Sequence, residues 1–256
     1  MKKNIYLTIL TFVTVLCIIG GTCYHVIGWG VSLAKGITGI LSHNGTESVG
    51  NLKNDTITLD SFSNITADVN VMNLTVTTGE SYSISYAANE KLIPEYEVKD
   101  NTLTLKQKNL KFNSITGNKK CTVTVTVPDS LQNLQIDANV GDVNLDGISA
   151  ESLVLNADVG DIDVTDCSFD QVKAEAAVGD VDFEDSSFQN MEISNDVGDV
   201  SVSAENLSNY QMNLSTDIGE VSVNDKNYRK SYKCDGYSGS KLIIENNTGD
   251  IEVDYR

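Results

Sequence analysis

Apolar and polar residues alternate through most of the second half of the chain. A short motif interrupts that alternation at regular intervals: apolar, Gly, acidic, apolar, any residue, apolar. It reads Val140-Gly141-Asp142-Val143-Asn144-Leu145, then Val159-Gly160-Asp161-Ile162-Asp163-Val164. Val178-Gly179-Asp180-Val181-Asp182-Phe183 and Val197-Gly198-Asp199-Val200-Ser201-Val202 follow. Ile218-Gly219-Glu220-Val221-Ser222-Val223 and Thr248-Gly249-Asp250-Ile251-Glu252-Val253 complete the series, with Thr248 replacing the first apolar residue. The glycines are 19, 19, 19, 21 and 30 residues apart. Each is preceded by a second strand-like piece, such as Leu134-Gln135-Ile136, Leu153-Val154-Leu155 or Leu242-Ile243-Ile244.

The unit therefore reads strand, glycine corner, strand, return. Period-two alternation points Val143 and Leu145 inward and Asn144 outward. A glycine at the corner suits a positive φ. Nineteen residues at ~3.3 Å each make a coil of about 60 Å perimeter. One such coil cannot bury its own apolar face, whereas a stack of them can. Each strand is expected to pair in parallel with its equivalent one coil on, since 19 residues suffice for a parallel crossover. The fold class predicted is all-β, a single-chain parallel β-solenoid, with a right-handed path from the crossover rule.

Residues 52–128 also alternate, at Ile57–Leu59, Ala67–Val71, Leu74–Val76, Tyr82–Tyr86, Leu103–Leu105 and Val123–Val127, but lack the glycine motif. They read as irregular N-terminal coils capping the regular repeats of 129–256. Residues 35–51, rich in Gly, Ser, Asn and Thr, read as a linker. Before them, Lys2 and Lys3 precede an apolar stretch from Ile5 to Ile27. That is long enough for a helix to cross a bilayer core of ~30 Å. Residues 1–34 are read as one N-terminal transmembrane anchor, its lysines holding that end in the cytoplasm and the solenoid outside. The competing reading is a cleaved signal peptide with Ile5–Ile19 as its apolar region. The length of the run and the missing Ala-x-Ala pattern favour the anchor. Both readings export the rest of the chain.

Charge separates the two halves. Residues 129–256 hold 27 acidic and 7 basic residues, against 9 and 11 in residues 1–128, for a net charge of −18 over 256 residues. Such a surface repels polyphosphate, so nucleic acid is excluded as a partner. The 2 histidines both precede residue 44, which disfavours His-based catalysis and multi-His metal sites. Of 5 cysteines, Cys17 and Cys23 lie in the anchor region and Cys121, Cys167 and Cys234 are scattered. No Cys-x-x-Cys occurs, and buried or free thiols are expected rather than a disulfide.

Here the chain resembles a bacterial family of unknown function, the adhesin-like β-solenoid domain. The resemblance rests on Tyr96-Glu97-Val98-Lys99-Asp100-Asn101-Thr102-Leu103-Thr104-Leu105, on Val123-Thr124-Val125-Thr126-Val127-Pro128 and on the Gly-Asp-Val/Ile repeats. It covers roughly residues 52–256. It implies a cell-surface protein, often membrane-anchored in Gram-positive bacteria, as in the LiaG-type proteins of envelope-stress operons. The family offers no catalytic residues to carry over.

Two features invite a chemical reading. Stacking places Asp142, Asp161, Asp180, Asp199 and Glu220 in one column, with Asp250 following, at ~4.8 Å per coil. A second oxygen-rich position, two before each glycine, gives Asn139, Asp158, Asp196, Asp217 and Asn247, broken by Ala177. Together they offer the oxygen ligands calcium prefers. The simpler reading has each aspartate satisfying turn amides and facing water. The second feature is the 30-residue spacing, which carries Tyr228, Arg229, Lys230, Tyr232 and Lys233. Tyr and Arg are common interface anchors. This loop reads as a grip on an anionic wall polymer or a surface protein, or as a cap over the last coil's edge.

An enzyme reading fares worse. Glycoside hydrolysis needs two carboxylates at a defined separation, and the columns offer many equivalent pairs. The sequence reading is a non-enzymatic, membrane-anchored surface protein that touches envelope components, with no cofactor unless calcium. The alternatives are an accessory ectodomain of an envelope-stress sensing or transport system and, further off, a carbohydrate-active enzyme.

Overall fold

The computed structural model describes residues 52–108 and 120–255. The predicted anchor (1–34), the linker (35–51), Cys17 and Cys23 lie outside the described residues. Twenty-one strands follow in chain order: β1 (Leu52–Thr58), β2 (Asn64–Val69), β3 (Asn73–Thr78), β4 (Ser83–Asn89), β5 (Glu95–Lys99), β6 (Thr102–Lys106) and β7 (Cys121–Val127). Then come β8 (Leu131–Val140), β9 (Val143–Asp146), β10 (Ser149–Val159), β11 (Ile162–Thr165), β12 (Ser168–Val178), β13 (Val181–Glu184), β14 (Ser187–Val197) and β15 (Val200–Ala204). The last are β16 (Gln211–Ile218), β17 (Val221–Val223), β18 (Lys226–Asn227), β19 (Ser231–Cys234), β20 (Lys241–Thr248) and β21 (Ile251–Tyr255). The described residues are all-β, with parallel strands stacked as in a β-solenoid. Among the described residues no helix is long and apolar enough to cross a membrane.

Each coil contributes one long strand to a ten-stranded sheet and one short strand to an eleven-stranded sheet. The register is that of the repeat: Leu153 faces Leu134 and Val172, and Ile162 faces Val143 and Val181. The inner faces of both sheets meet in one continuous apolar core. Ile136, Leu155 and Ile193 from the long strands and Val143, Ile162 and Val181 from the short ones are fully buried. The alternation thus sorts side chains as expected, with Val143 and Leu145 inside and Asn144 at the surface.

Stacking order departs from sequence order at both ends. From β8 to β14 each long strand neighbours its equivalent one coil on. Beyond β14 the neighbour is β20, not β16, and β20 lies between β14 and β16. Likewise β21 lies between β15 and β17. The final coil of the chain is therefore interposed one place inside the coil that precedes it in sequence. The N-terminal end repeats the device: β2 and β3 lie between the β8–β9 coil and the later strands β6 and β7. The expectation of strictly successive coils is corrected on this point.

Spacing explains the C-terminal departure. The coil formed by β16 and β17 must climb two rungs from β15 rather than one. Its glycine follows the previous one by 21 residues rather than 19, and the two added residues lengthen the connection. A single 3₁₀ turn at Leu207–Asn209 occupies this climb. Tyr210 anchors its end, its hydroxyl donating to the Phe188 carbonyl and its ring packing edge-on to Phe188 at 5.6 Å. The 30-residue gap then carries the chain out through β18 and β19 and back to the vacant rung.

Antiparallel strands close both ends. β19 pairs with β16 and β18 with β17, while β4 pairs with β7, β1 with β4 and β5 with β6. Sheet ends left open would recruit other chains, and charged edge strands such as these blunt that tendency. Cys121, Cys167 and Cys234 are free thiols. Burial pushes Cys121 up to about 12 and Cys167 up to about 11. Cys167 fills a corner, its sulfur accepting from the Ile148 N–H at 3.3 Å.

Candidate interaction surfaces

The glycine corners set the geometry of everything around them. From Gly141 to Gly198, and at Gly249, the N–H donates to the carbonyl of the residue before the glycine one rung on, for example Gly160 to Val178 and Gly179 to Val197, both at 3.0 Å. The φ values of the corner glycines lie between 131° and 153°. A Cβ at Gly179 would stand 2.0 Å from the Gly160 carbonyl oxygen, so only glycine lets the coils approach this closely.

The next residue builds the aspartate column. Asp142 Oδ1 accepts from the Asp161 N–H at 3.2 Å, Asp161 Oδ1 from the Asp180 N–H at 2.9 Å, and Asp180 Oδ1 from the Asp199 N–H at 2.8 Å. Asp199 then accepts from Asp250, and Asp250 from Glu220, each at 2.8 Å. The column is continuous, but its order is 199, 250, 220. Asn73 opens it, its amide donating to Asp142 Oδ2 at 3.0 Å, and Asn227 closes it by donating to Glu220. One oxygen of each central aspartate is thus committed to a turn amide. Among the described residues no group of three or more His, Cys, Asp and Glu side chains gathers around a common point for a metal. The second oxygen-rich position is exposed and partly tied along the stack, with Asn139 donating to Asn70 at 2.8 Å and Asn247 to Asp196 at 2.7 Å.

A third acidic position lies two residues beyond the column. There Asp163 and Asp182 are neighbours on β11 and β13. Burial, and then the charges of Asp182, Asp161, Asp142 and Asp180, push the Asp163 carboxyl above the ordinary carboxylate range. The sign follows from linkage: a carboxyl that is harder to ionise when folded costs stability at any pH above its folded value, and the cost fades as pH falls from the folded value towards the unfolded value near ~4, below which it is gone. Asp163→Asn is therefore expected to raise the thermal unfolding midpoint at pH 7. The gain should shrink towards zero as pH is lowered through the carboxylate range. A lower midpoint at pH 7 would refute this account.

The loop of residues 226–233 proves to be an ordered cap. Tyr228 and Tyr232 are half-buried and packed together, ring centroids 4.5 Å apart, with the Lys226 ammonium 5.0 Å from the Tyr228 centroid. Burial first, then Cys234 and its other neighbours, push the Tyr232 hydroxyl up to about 12. Lys230 folds back, its Nζ donating to the Asp217 and Gly219 carbonyls at 2.9 and 3.1 Å. Arg229 takes a left-handed φ of 68°, fixed by its N–H donating to Asn227 Oδ1 at 2.7 Å. Of the five residues singled out from sequence, Arg229 and Lys233 are exposed, with no ion pair among the described residues. Tyr228, Tyr232 and Lys230 hold the cap together.

Sequence reasoning missed one surface. The residue before each corner glycine belongs by alternation to the inside, yet the corner turns it outward. Val140 is 47% exposed, Val159 48%, Val197 37% and Ile218 66%.

Several solved structures align with this chain. A Bacteroides fragilis protein named as a "putative adhesin" aligns with a TM-score of 0.51 at 19% identity, over 79% of this chain and 97% of its own. A Clostridium sporogenes protein named as a "putative cell adhesion protein" aligns at 16% identity and a TM-score of 0.47, over 80% and 100%. A Parabacteroides distasonis protein named as a "putative lipid binding protein" aligns at 15% and 0.37, over 81% and 97%. The first of these likenesses shows the fold alone. No curated protein sequence matches this chain significantly. Residues 62–256 match the Toastrack DUF4097 family, and on that match, which spans both the N-terminal coils and all six glycine corners, the chain belongs to this family.

Proposed function

We propose that this chain is a non-enzymatic contact protein of the cell envelope, held to the membrane by its N-terminal segment with the solenoid outside. The observation that carries the reading is the contrast between the stack and its C-terminal cap. Residues 121–225 hold 22 acidic residues and a single base, Lys173. Residues 226–241 hold Lys226, Arg229, Lys230, Lys233 and Lys241. An anionic polymer is repelled along the side of the stack and attracted to this end. Exposed Arg229 and Lys233 beside the packed, half-buried Tyr228–Tyr232 pair supply charge at an ordered surface. The ordering cost of gripping a ligand there is correspondingly small.

Co-sedimentation of the full chain with purified bacterial cell walls tests this. Wall binding is expected to fall at least tenfold in Arg229→Gln/Lys233→Gln and to be unaffected by EDTA. Loss with EDTA alone would place the interaction on calcium held along the aspartate column. No sedimentation in any condition would overturn wall contact and favour the accessory, regulatory reading.

A further inference from the structure

The outward corner residues form a line. Parallel register sets Val140 beside Val159, Val159 beside Val178, Val178 beside Val197, Val197 beside Thr248 and Thr248 beside Ile218. Six rungs at ~4.8 Å make a ridge about 24 Å long, apolar except for Thr248, with Val178 and Thr248 half-buried. Apart from Tyr237, the large hydrophobic residues most exposed among the described residues all stand on it. The turn does not require them to be apolar. Thr248 occupies the same place in the interposed coil with the same backbone bonds, since the Gly198 N–H donates to Thr248 as the Gly179 N–H donates to Val197.

Carboxylates border the ridge on both sides. The aspartate column runs along one flank, and exposed Asp158, Asp196 and Asp217 stand on the other. At the Ile218 end stands one base, Lys230, and it is engaged with the Asp217 and Gly219 carbonyls. An exposed apolar strip rimmed by charge marks an interaction site. The backbone of the ridge is already paired rung to rung, so a partner cannot add a strand there and must engage side chains alone. An α-helix laid along the stack presents one residue of a stripe every ~5.4 Å, close to the rung spacing.

We propose that this ridge docks a cationic amphipathic helix of a partner protein, its narrow apolar stripe on the valines and its lysines or arginines straddling them to reach both carboxylate flanks. This surface adjoins the basic cap only at its Ile218 end, and neither reading rests on the other. An anionic membrane is repelled by the same flanks.

The test uses the full chain in phosphatidylcholine nanodiscs, with empty nanodiscs subtracted. The probe is a fluorescein-labelled 18-residue Leu/Lys peptide, its leucines forming one helical stripe. A peptide of the same composition with scattered leucines is the control. Saturable binding is expected, at least tenfold tighter for the striped peptide and several-fold weaker when salt is raised from 50 to 500 mM. Val159→Asn/Val197→Asn/Ile218→Asn should weaken it at least tenfold, and Val159→Leu/Val197→Leu should retain it. Unchanged thermal melts would confirm that these exposed positions leave the fold intact. No binding, equal binding of both peptides, or indifference to the asparagine variant would overturn the proposal. The last two results would reduce the ridge to a bystander of charge attraction.

Discussion

Gly179→Ala is expected to destabilise the solenoid by about 3 kcal/mol or more, whereas Gly239→Ala should cost only about 1 kcal/mol. Both glycines have positive φ, 150° and 81°, so both substitutions carry backbone strain. They differ in what the new methyl group meets. At Gly239 nothing lies within 4 Å. At Gly179 the methyl group would stand 2.0 Å from the Gly160 carbonyl oxygen and 3.1 Å from Asp161 Oδ1. The backbone cannot retreat without stretching the bond from the Gly179 N–H to Val197 on one side and from Gly160 to Val178 on the other. It would also disturb the Asp180 N–H, which donates to Asp161. The damage is therefore shared among three rungs. Urea unfolding of the two variants beside the parent chain decides the matter. Equal losses would show that φ alone, and not the close stacking of corners, demands glycine.

That column of glycines was legible in the sequence, because its period, its flanking apolar pairs and its acidic neighbour all repeat together. The inside and outside of the coils followed from alternation. The order of the coils did not, and the reason is physical. Every coil presents the same in–out pattern and the same corner, so β20 fits against β14 as well as β16 would by pattern alone. The connections discriminate, through the two added residues before Gly219 and the 30-residue gap after it. The packing inside the cap was not legible for a related reason. Tyr228, Arg229, Lys230, Tyr232 and Lys233 are adjacent in a charged stretch, and composition does not say that two tyrosines stack and one lysine turns onto carbonyls. The ridge was hidden because a valine before glycine looks like every other core valine until the corner is built. One internal difference also escaped notice. The buried position three before each glycine is Ala138, Ala157 and Ala176 in the central coils, but Asn195, Asn246 and Thr216 at the C-terminal end. These side chains donate to the Gly179, Gly198 and Gly249 carbonyls. They form a polar ladder whose order, 195, 246, 216, is the spatial order of the coils.

Removing residues 241–256 should therefore act as loss of an internal coil, not of a terminus, and lower the unfolding midpoint by about 10 °C or more. Stacked coils gain stability from each interface with a neighbour, so a terminal coil forfeits one interface and an internal coil two. The β20–β21 coil contacts β14 and β15 on one side and β16 and β17 on the other. It also buries Leu242, Ile244, Ile251 and Val253 completely. At about 1.5–3 kcal/mol for each such side chain, the loss is comparable with the whole margin of an ordinary domain. The β16–β17 coil cannot simply move down to fill the gap. Its connection spans two rungs, and Tyr210 pins that connection to the Phe188 carbonyl. Amide exchange in the truncated chain should accordingly show residues 205–234 unprotected, while β8 to β13 stay slow. Cutting only the connection should do neither. Tyr237 is 92% exposed, and a chain nicked after it by chymotrypsin should keep its C-terminal fragment through gel filtration and release it only in denaturant. A truncated chain with residues 211–223 as protected as in the parent would mean that the coil had closed onto β14 and β15. In that case the interposed order would reflect the connections alone and not an energetic need for the last coil.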